Sequence, residues 1–253
     1  MQPMEQFQVK PLAVLEHPLF RIAGHDIYFT NQSLLMVIVA LAASAFLTLA
    51  MGGRRLVPGR AQSMAEMSYE FVANMINSAT GEDGLVFFPF VFTLFIFVLL
   101  CNFFGMIPGS FTVTSQIAVT FALAALVILT VIVTGFARHG IGFLMLFVPK
   151  APWYLLILLV PIEVISFLTR PISLSVRLFA NMLAGHTMLA VFGGFVVLLG
   201  SAGGVLSALS VAPMALIVAI MLLELLVAFL QAYVFAILTC IYLNEALHLH
   251  DHH

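Results

Sequence analysis

Long apolar runs separated by short polar connections dominate the chain, and their length alone points to membrane-crossing helices. Ser33 to Met51 is the first such run, free of charge and close to the roughly 20 residues a helix needs to cross the hydrocarbon. Gly52-Gly53-Arg54-Arg55 ends it, followed by Pro58 and Arg60. Residues 61–80 carry a different pattern. Met64, Met67, Tyr69, Phe71, Val72, Met75 and Ile76 supply the apolar content, while Glu66, Glu70, Asn74 and Asn77 fall on another face. That periodicity predicts an amphipathic helix lying at the membrane interface. Residues 85–104, rich in Phe, form the second span. A charge-free connection over 105–115, containing Pro108, leads to the third span at 117–136, which Arg138 and His139 stop. The apolar stretch 141–148 is too short to cross and reads as an interfacial or re-entrant piece.

Two still longer runs follow. Residues 153–199 and 206–247 are almost continuously apolar and are separated by Gly200-Ser201-Ala202-Gly203-Gly204. At about 1.5 Å per residue each exceeds a normal crossing, so each must either split or lie strongly tilted. Pro161, Pro171 and Pro213 allow kinks. The preferred arrangement is a long tilted hairpin with the glycine-rich break as its turn. The predicted fold is therefore an all-α polytopic membrane protein and a single membrane domain. It has a polar N-terminal segment over 1–32, about five membrane-embedded helices and one interfacial helix.

Composition supports this. Of the 253 residues, 63% are hydrophobic and only 8% are charged, against about 25% charged in an ordinary soluble domain. Lipid is the natural solvent for such a chain. A net charge of −2 gives no electrostatic case for nucleic acid. Cys101 and Cys240 each sit inside an apolar run and read as small core residues. No Cys/His spacing suggests a metal or a cofactor. Glu5, Lys10, Glu16, Arg21 and Asp26 interrupt the first 32 residues, so these do not read as a cleavable signal. The tail His248-Leu249-His250-Asp251-His252-His253 reads as a solvated terminus, with metal binding or a purification tag as alternatives. If the spans alternate, Arg54, Arg55, Arg60, Arg138 and Lys150 fall on one side, and Lys10 and Arg21 on the other. The excess of positive charge places the C-terminus in the cytoplasm and the N-terminus outside.

The last two runs also hold ionisable groups that the bilayer penalises: Glu163, Arg170, Arg177, His186 and Glu224. A charged side chain at the centre of a membrane helix costs roughly 2.5–3.5 kcal/mol even on lenient insertion scales, so such groups are rare and mark function. Glu163 and Arg170 fit either an accessory or a structural role near a water-filled funnel. Arg177 lies deep in its run, is permanently protonated, and has no acid within two turns on its own helix. Its partner must come from another helix, such as Glu224, or from another protein. His186 and Glu224, unlike Arg177, can exchange protons, and together they make a candidate relay between the two long helices. Glu163, Arg170 and Arg177 recur every seven residues and share a face. Asn181 is one turn beyond Arg177 on nearly the same face, and His186 is on the opposite side. Glu224 and Gln231 again differ by seven and share a face.

The stretch Pro171-Ile172-Ser173-Leu174-Ser175-Val176-Arg177-Leu178-Phe179-Ala180-Asn181-Met182-Leu183-Ala184-Gly185-His186 resembles the signature P-x-S-L-x-x-R-L-x-x-N-x-x-A-G-H of the a subunits of F-type ATP synthases. Glu224 with Leu230-Gln231-Ala232-Tyr233-Val234-Phe235, and Asn102-Phe103-Phe104-Gly105-Met106-Ile107-Pro108, are similar to further segments of that family. Many bacterial members carry an acid at the position of His186 and a histidine at that of Glu224. The order here resembles mitochondrial and alphaproteobacterial members. The resemblance implies a proton-conducting stator in the bacterial inner membrane, working with a c-ring of hairpin subunits that each bear a lipid-embedded carboxylate. Peripheral-stalk b subunits and the other subunits of the synthase are the further partners implied. Two aqueous half-channels would reach the ring from opposite sides, with Arg177 between them. His186 and Glu224, joined by Asn181, Gln231 and waters, would line one half-channel, and Glu163 the same funnel or the other. The rival classes are a secondary transporter and a structural anchor of a respiratory complex. The first lacks the expected internal repeat; the second would not need Arg177, His186 and Glu224 together. No phosphate-binding loop is present, so ATP chemistry must belong to another subunit.

Overall fold

A computed structural model describes residues 20–22, 25–28, 30–52, 59–107, 112–148 and 152–247. Lys10, Arg54, Arg55, Pro108, Lys150 and the histidine-rich tail lie outside the described residues. The N-terminal segment contributes something the polarity of residues 1–32 did not foretell. Strand β1 (Phe20–Ile22) pairs antiparallel with β2 (His25–Ile27), with Phe20 opposite Ile27 and Ile22 opposite His25. Among the described residues the remaining elements are helical, and five helical stretches are long and apolar enough to cross a membrane. The chain is an all-α polytopic membrane protein preceded by this small two-stranded ladder.

Helix α1 (Asn31–Met51) opens on Thr30, whose hydroxyl accepts from the Ser33 amide at 3.3 Å. Such a cap satisfies one of the amides a helix start leaves open. Helix α2 (Arg60–Thr80) buries a stripe of Ala65, Val72, Met75, Ile76 and Thr80 at helical spacing. Glu70, Asn74 and Asn77 are exposed opposite it. Its apolar residues do not form one face: Met64 and Met67 are 56% and 61% exposed. A 3₁₀ turn (Glu82–Phe87) leads into α3 (Phe88–Gly105). Rings of Tyr69 and Phe88, with centroids 4.5 Å apart, and of Phe71 and Phe95, 5.6 Å apart, join α2 to α3.

Helix α4 (Ile117–His139) buries Thr120, Ala124, Val127, Val131 and Thr134, a stripe at spacings of three and four. The short piece after it is a 3₁₀ helix (Gly140–Phe147) folded against α4. It is anchored by Phe143, whose ring occupies the space beside Gly135 and is 1% exposed. The rings continue from Phe143 to Phe147 and on to Phe167.

The first long run does not split, and the second breaks only near its start. Helix α5 (Trp153–Ser201) runs through both Pro161 and Pro171 for 49 residues. It buries only a narrow stripe of Phe167, Leu174, Ser175, Leu178 and Met182. The glycine-rich break is more elaborate than a single turn. Gly203 and Gly204 take φ of 70° and 63°, a region glycine enters without strain. A six-residue helix α6 (Gly204–Leu209) follows, and the chain breaks again at Ser210 before α7 (Val211–Leu247). Pro213 therefore lies in the first turn of α7, where its missing N–H is harmless, instead of kinking the helix interior. Along α7 the buried positions Glu224, Ala228, Ala232 and Ala236 fall every four residues, and small residues of this kind let neighbouring helices approach closely. Cys101 and Cys240 are free and buried in the core.

Contacts group the residues into two compact units, each drawing on stretches from the whole chain. One comprises the described residues within 1–46, 97–116 and 178–231; the other comprises those within 47–96, 117–177 and 232–253.

Candidate functional site

In the first unit, His186 of α5 meets Glu224 of α7. His186 Nε2 lies 3.5 Å from Glu224 Oε1. Glu224 is 5% exposed, and neither carboxylate oxygen accepts a hydrogen bond among the described residues. The approach depends on Gly185. A Cβ at that position would stand 2.7 Å from Glu224 Oε1 and 3.0 Å from its Cδ. The residue before the histidine is thus kept free of a side chain because the carboxylate occupies that space.

The connection between α3 and α4 supplies a third polar group, which sequence reasoning did not single out. Thr112, Thr114 and Ser115 are buried although they lie outside the long helices. Thr112 Oγ1 is 3.1 Å from His186 Nε2. Asn102, in the last turn of α3, donates from Nδ2 to the backbone oxygen of Ala228 on α7 at 3.1 Å. Among the described residues, the buried side-chain polar atoms without a hydrogen-bond partner are Asn102 Oδ1, Thr114 Oγ1 and the two Glu224 oxygens. All belong to this unit. Buried polar atoms are normally satisfied, so this concentration of exceptions sets the region apart from the rest of the described core. Asn181 and Gln231, read as links in this chain, make no side-chain hydrogen bond among the described residues; Asn181 is exposed and Gln231 half-buried. An open apolar groove of about 590 Å³ runs beside Ala180, Leu183, Ala184, Thr187, Met188 and Val191 of α5.

In the second unit, Arg170 pairs with Glu245. The guanidinium lies over the rings of Tyr242 and Phe167, 5.1 Å and 5.9 Å from their centroids. This arrangement satisfies the cation by both an ion pair and two aromatic faces. Glu245 was not singled out from the sequence. A signal was present: in a hairpin turning near Gly203, residues far before the turn meet residues far after it, which brings Arg170 towards the end of α7. Arg177 is on the exposed side of α5, and no described carboxylate of this chain pairs with it. Glu163 is half-buried. No group of three or more potential metal ligands occurs among the described residues.

Fold and site together define a multi-pass helical membrane protein that carries permanent and exchangeable charges within its two longest apolar helices. The family model for the ATP synthase A chain matches residues 33–244. The chain is 60% identical over 247 residues to a protein of Mesorhizobium japonicum named ATP synthase subunit a, covering 97% of this chain and 96% of that one. Proteins of the same name from Chelativorans sp. (strain BNC1) and Agrobacterium fabrum are 61% and 58% identical, each with 97% of both chains covered. The chain belongs to the ATP synthase A chain family.

Proposed function

We propose that this chain is the proton-conducting stator subunit of an F-type ATP synthase, presenting two offset aqueous half-channels to a rotating ring of carboxylate-bearing hairpins. The observation that carries the reading is the contact of half-buried His186 with buried Glu224 on facing long helices, together with Arg177 on the exposed side of the same α5. A ring carboxylate faces lipid only when it carries its proton, because an exposed charge there is costly. The fixed cation of Arg177 favours the ionised form as the carboxylate passes, so the proton leaves on one side and is replaced from the other. Each proton falling through 100 mV supplies about 2.3 kcal/mol for rotation. His186 and Glu224 hand protons along one half-channel, with Asn181 and Gln231 as polar neighbours and Glu163 serving a funnel to the ring. The partners are the c-ring, the peripheral-stalk b subunits and the remaining synthase subunits. The location is the bacterial inner membrane, N-terminus outside and C-terminus cytoplasmic, as the distribution of Arg and Lys favours.

The test is Arg177→Lys, assembled into the complete complex in membrane vesicles. Lysine loses its proton when desolvated and lacks the planar fork that engages a carboxylate, so coupled synthesis and ATP-driven pumping should be abolished although formal charge is kept. Near-normal synthesis would reduce Arg177 to a structural cation and overturn the assignment.

A further inference from the structure

Thr112 brings a hydroxyl to the titratable pair from outside both long helices, and its position is held from several sides. The side chain is buried, at 3% exposure. Its backbone oxygen accepts from the Ser115 amide at 3.2 Å and from Ser115 Oγ at 2.6 Å, which locks the short 3₁₀ turn Val113–Ser115 beneath it. Its methyl lies against Gly105, where a Cβ would stand 2.8 Å from Thr112 Cγ2. From this seat Oγ1 reaches two groups: His186 Nε2 at 3.1 Å and the Gly105 carbonyl oxygen at 3.3 Å.

A threonine hydroxyl has one proton to donate and lone pairs with which to accept. When His186 Nε2 offers a lone pair, the Thr112 O–H donates to it. When Nε2 carries a proton, Nε2–H donates to Thr112 Oγ1, and the hydroxyl turns its own proton onto the Gly105 oxygen. One rotation about Cβ–Oγ serves both states. The imidazole therefore keeps this partner in either resting protonation state; Nε2, which also faces the titratable Glu224 of α7 at 3.5 Å, has a single N–H or lone pair and turns it from Thr112 to the carboxylate for each exchange. We propose that Thr112 is a positioning residue for proton transfer, a hydroxyl rotor that holds the His186 ring in place in both protonation states, with Gly105 providing the space and the second acceptor. The inference rests on the reading of His186 and Glu224 as a proton relay.

The experiment compares Thr112→Val, Thr112→Ser, His186→Ala and the double variant Thr112→Val/His186→Ala in the assembled complex. It reads passive proton conductance of vesicles after removal of the catalytic sector, normalised to the amount of assembled subunit. Valine keeps the shape and removes the hydroxyl, and conductance should fall about tenfold, while serine should stay within about twofold of the parent, the scale of one hydrogen bond to a charged group. Thr112→Val should add nothing in the His186→Ala background, because the ring it positions is gone. Thr112→Ala takes the place of valine if that chain does not assemble. Parent-like conductance in the valine variant, with loss in His186→Ala, overturns the rotor and leaves the relay standing. Equal loss in the serine and valine variants also overturns it, since the residue would then act by shape. Parent-like conductance in His186→Ala overturns the relay itself, and the inference with it.

Discussion

Gly185→Ala is a small change whose effect follows from the distances. The added carbon would lie 2.7 Å from Glu224 Oε1 and 3.0 Å from Cδ. An unstrained contact between a carbon and another heavy atom is about 3.5 Å, so the carboxylate must retreat by roughly 0.5–0.8 Å. Two terms compete. Alanine favours the helix over glycine by about 0.8–1 kcal/mol, so α5 itself gains. Overpacking a filled site costs about 1–3 kcal/mol, and here it falls on the carboxylate proposed above to exchange protons. The helix should therefore survive and the site should suffer. With His186 and Glu224 already 3.5 Å apart, the displaced carboxylate moves out of reach of direct transfer. A barrier raised by about 1.4 kcal/mol slows transfer tenfold. The assay is ATP-driven proton pumping by the assembled complex in inverted vesicles, with assembly quantified in parallel. Glu224→Asp, whose side chain is one methylene shorter, provides the control: it loses activity alone, but adding Gly185→Ala to it should cost little more, because the clash has been removed. Normal pumping by Gly185→Ala, or full additivity of the two changes, would refute the reasoning.

Two other outcomes follow from the same geometry. Exchanging the pair, His186→Glu with Glu224→His, should restore more proton conduction than either single change, and a double-mutant cycle without coupling would separate the two residues. Arg170→Gln and Glu245→Gln should each lower the thermal stability of the purified complex, whereas the double change should lower it by less than their sum, with a coupling of about 1–3 kcal/mol; additive losses would mean that the ion pair stabilises nothing.

The helices were legible because apolar runs in lipid leave the backbone few alternatives to helix. Arg177, His186 and Glu224 stood out for the complementary reason, that charge within such runs needs a cause. What lay hidden were contacts that no single run contains. Thr112 is 74 residues from His186, in a connection whose composition suggests only a turn. Its burial follows from Gly105 and the Ser115 hydrogen bonds, which a periodicity reading does not register. Glu245 was overlooked for a different reason: sitting two residues before the end of α7, it resembles an ordinary helix-end acid until the hairpin register places Arg170 beside it. The helices of residues 204–247 were also divided differently than expected. A serine at 210 interrupts them, and a single serine between apolar residues has no distinctive pattern.

The exposed apolar surface has a consequence for what stability means in this molecule. Leu158, Ile165, Leu168, Val197 and Leu198 of α5 are each more than half exposed, as are Leu222, Leu223 and Leu226 of α7. Water is therefore absent from both ends of the relevant equilibrium. The competing state for a chain of this kind is a set of separately inserted helices still wrapped in acyl chains, and leaving that state buries little additional hydrocarbon. Packing, helix-to-helix hydrogen bonds such as Asn102 to the Ala228 carbonyl, and the cohesion of the surrounding solvent then decide the balance. Acyl-chain length and order become thermodynamic variables of the fold in the way that temperature and denaturant are for a soluble domain. A substitution that is silent in one detergent can be costly in another, with no change in any contact within the chain.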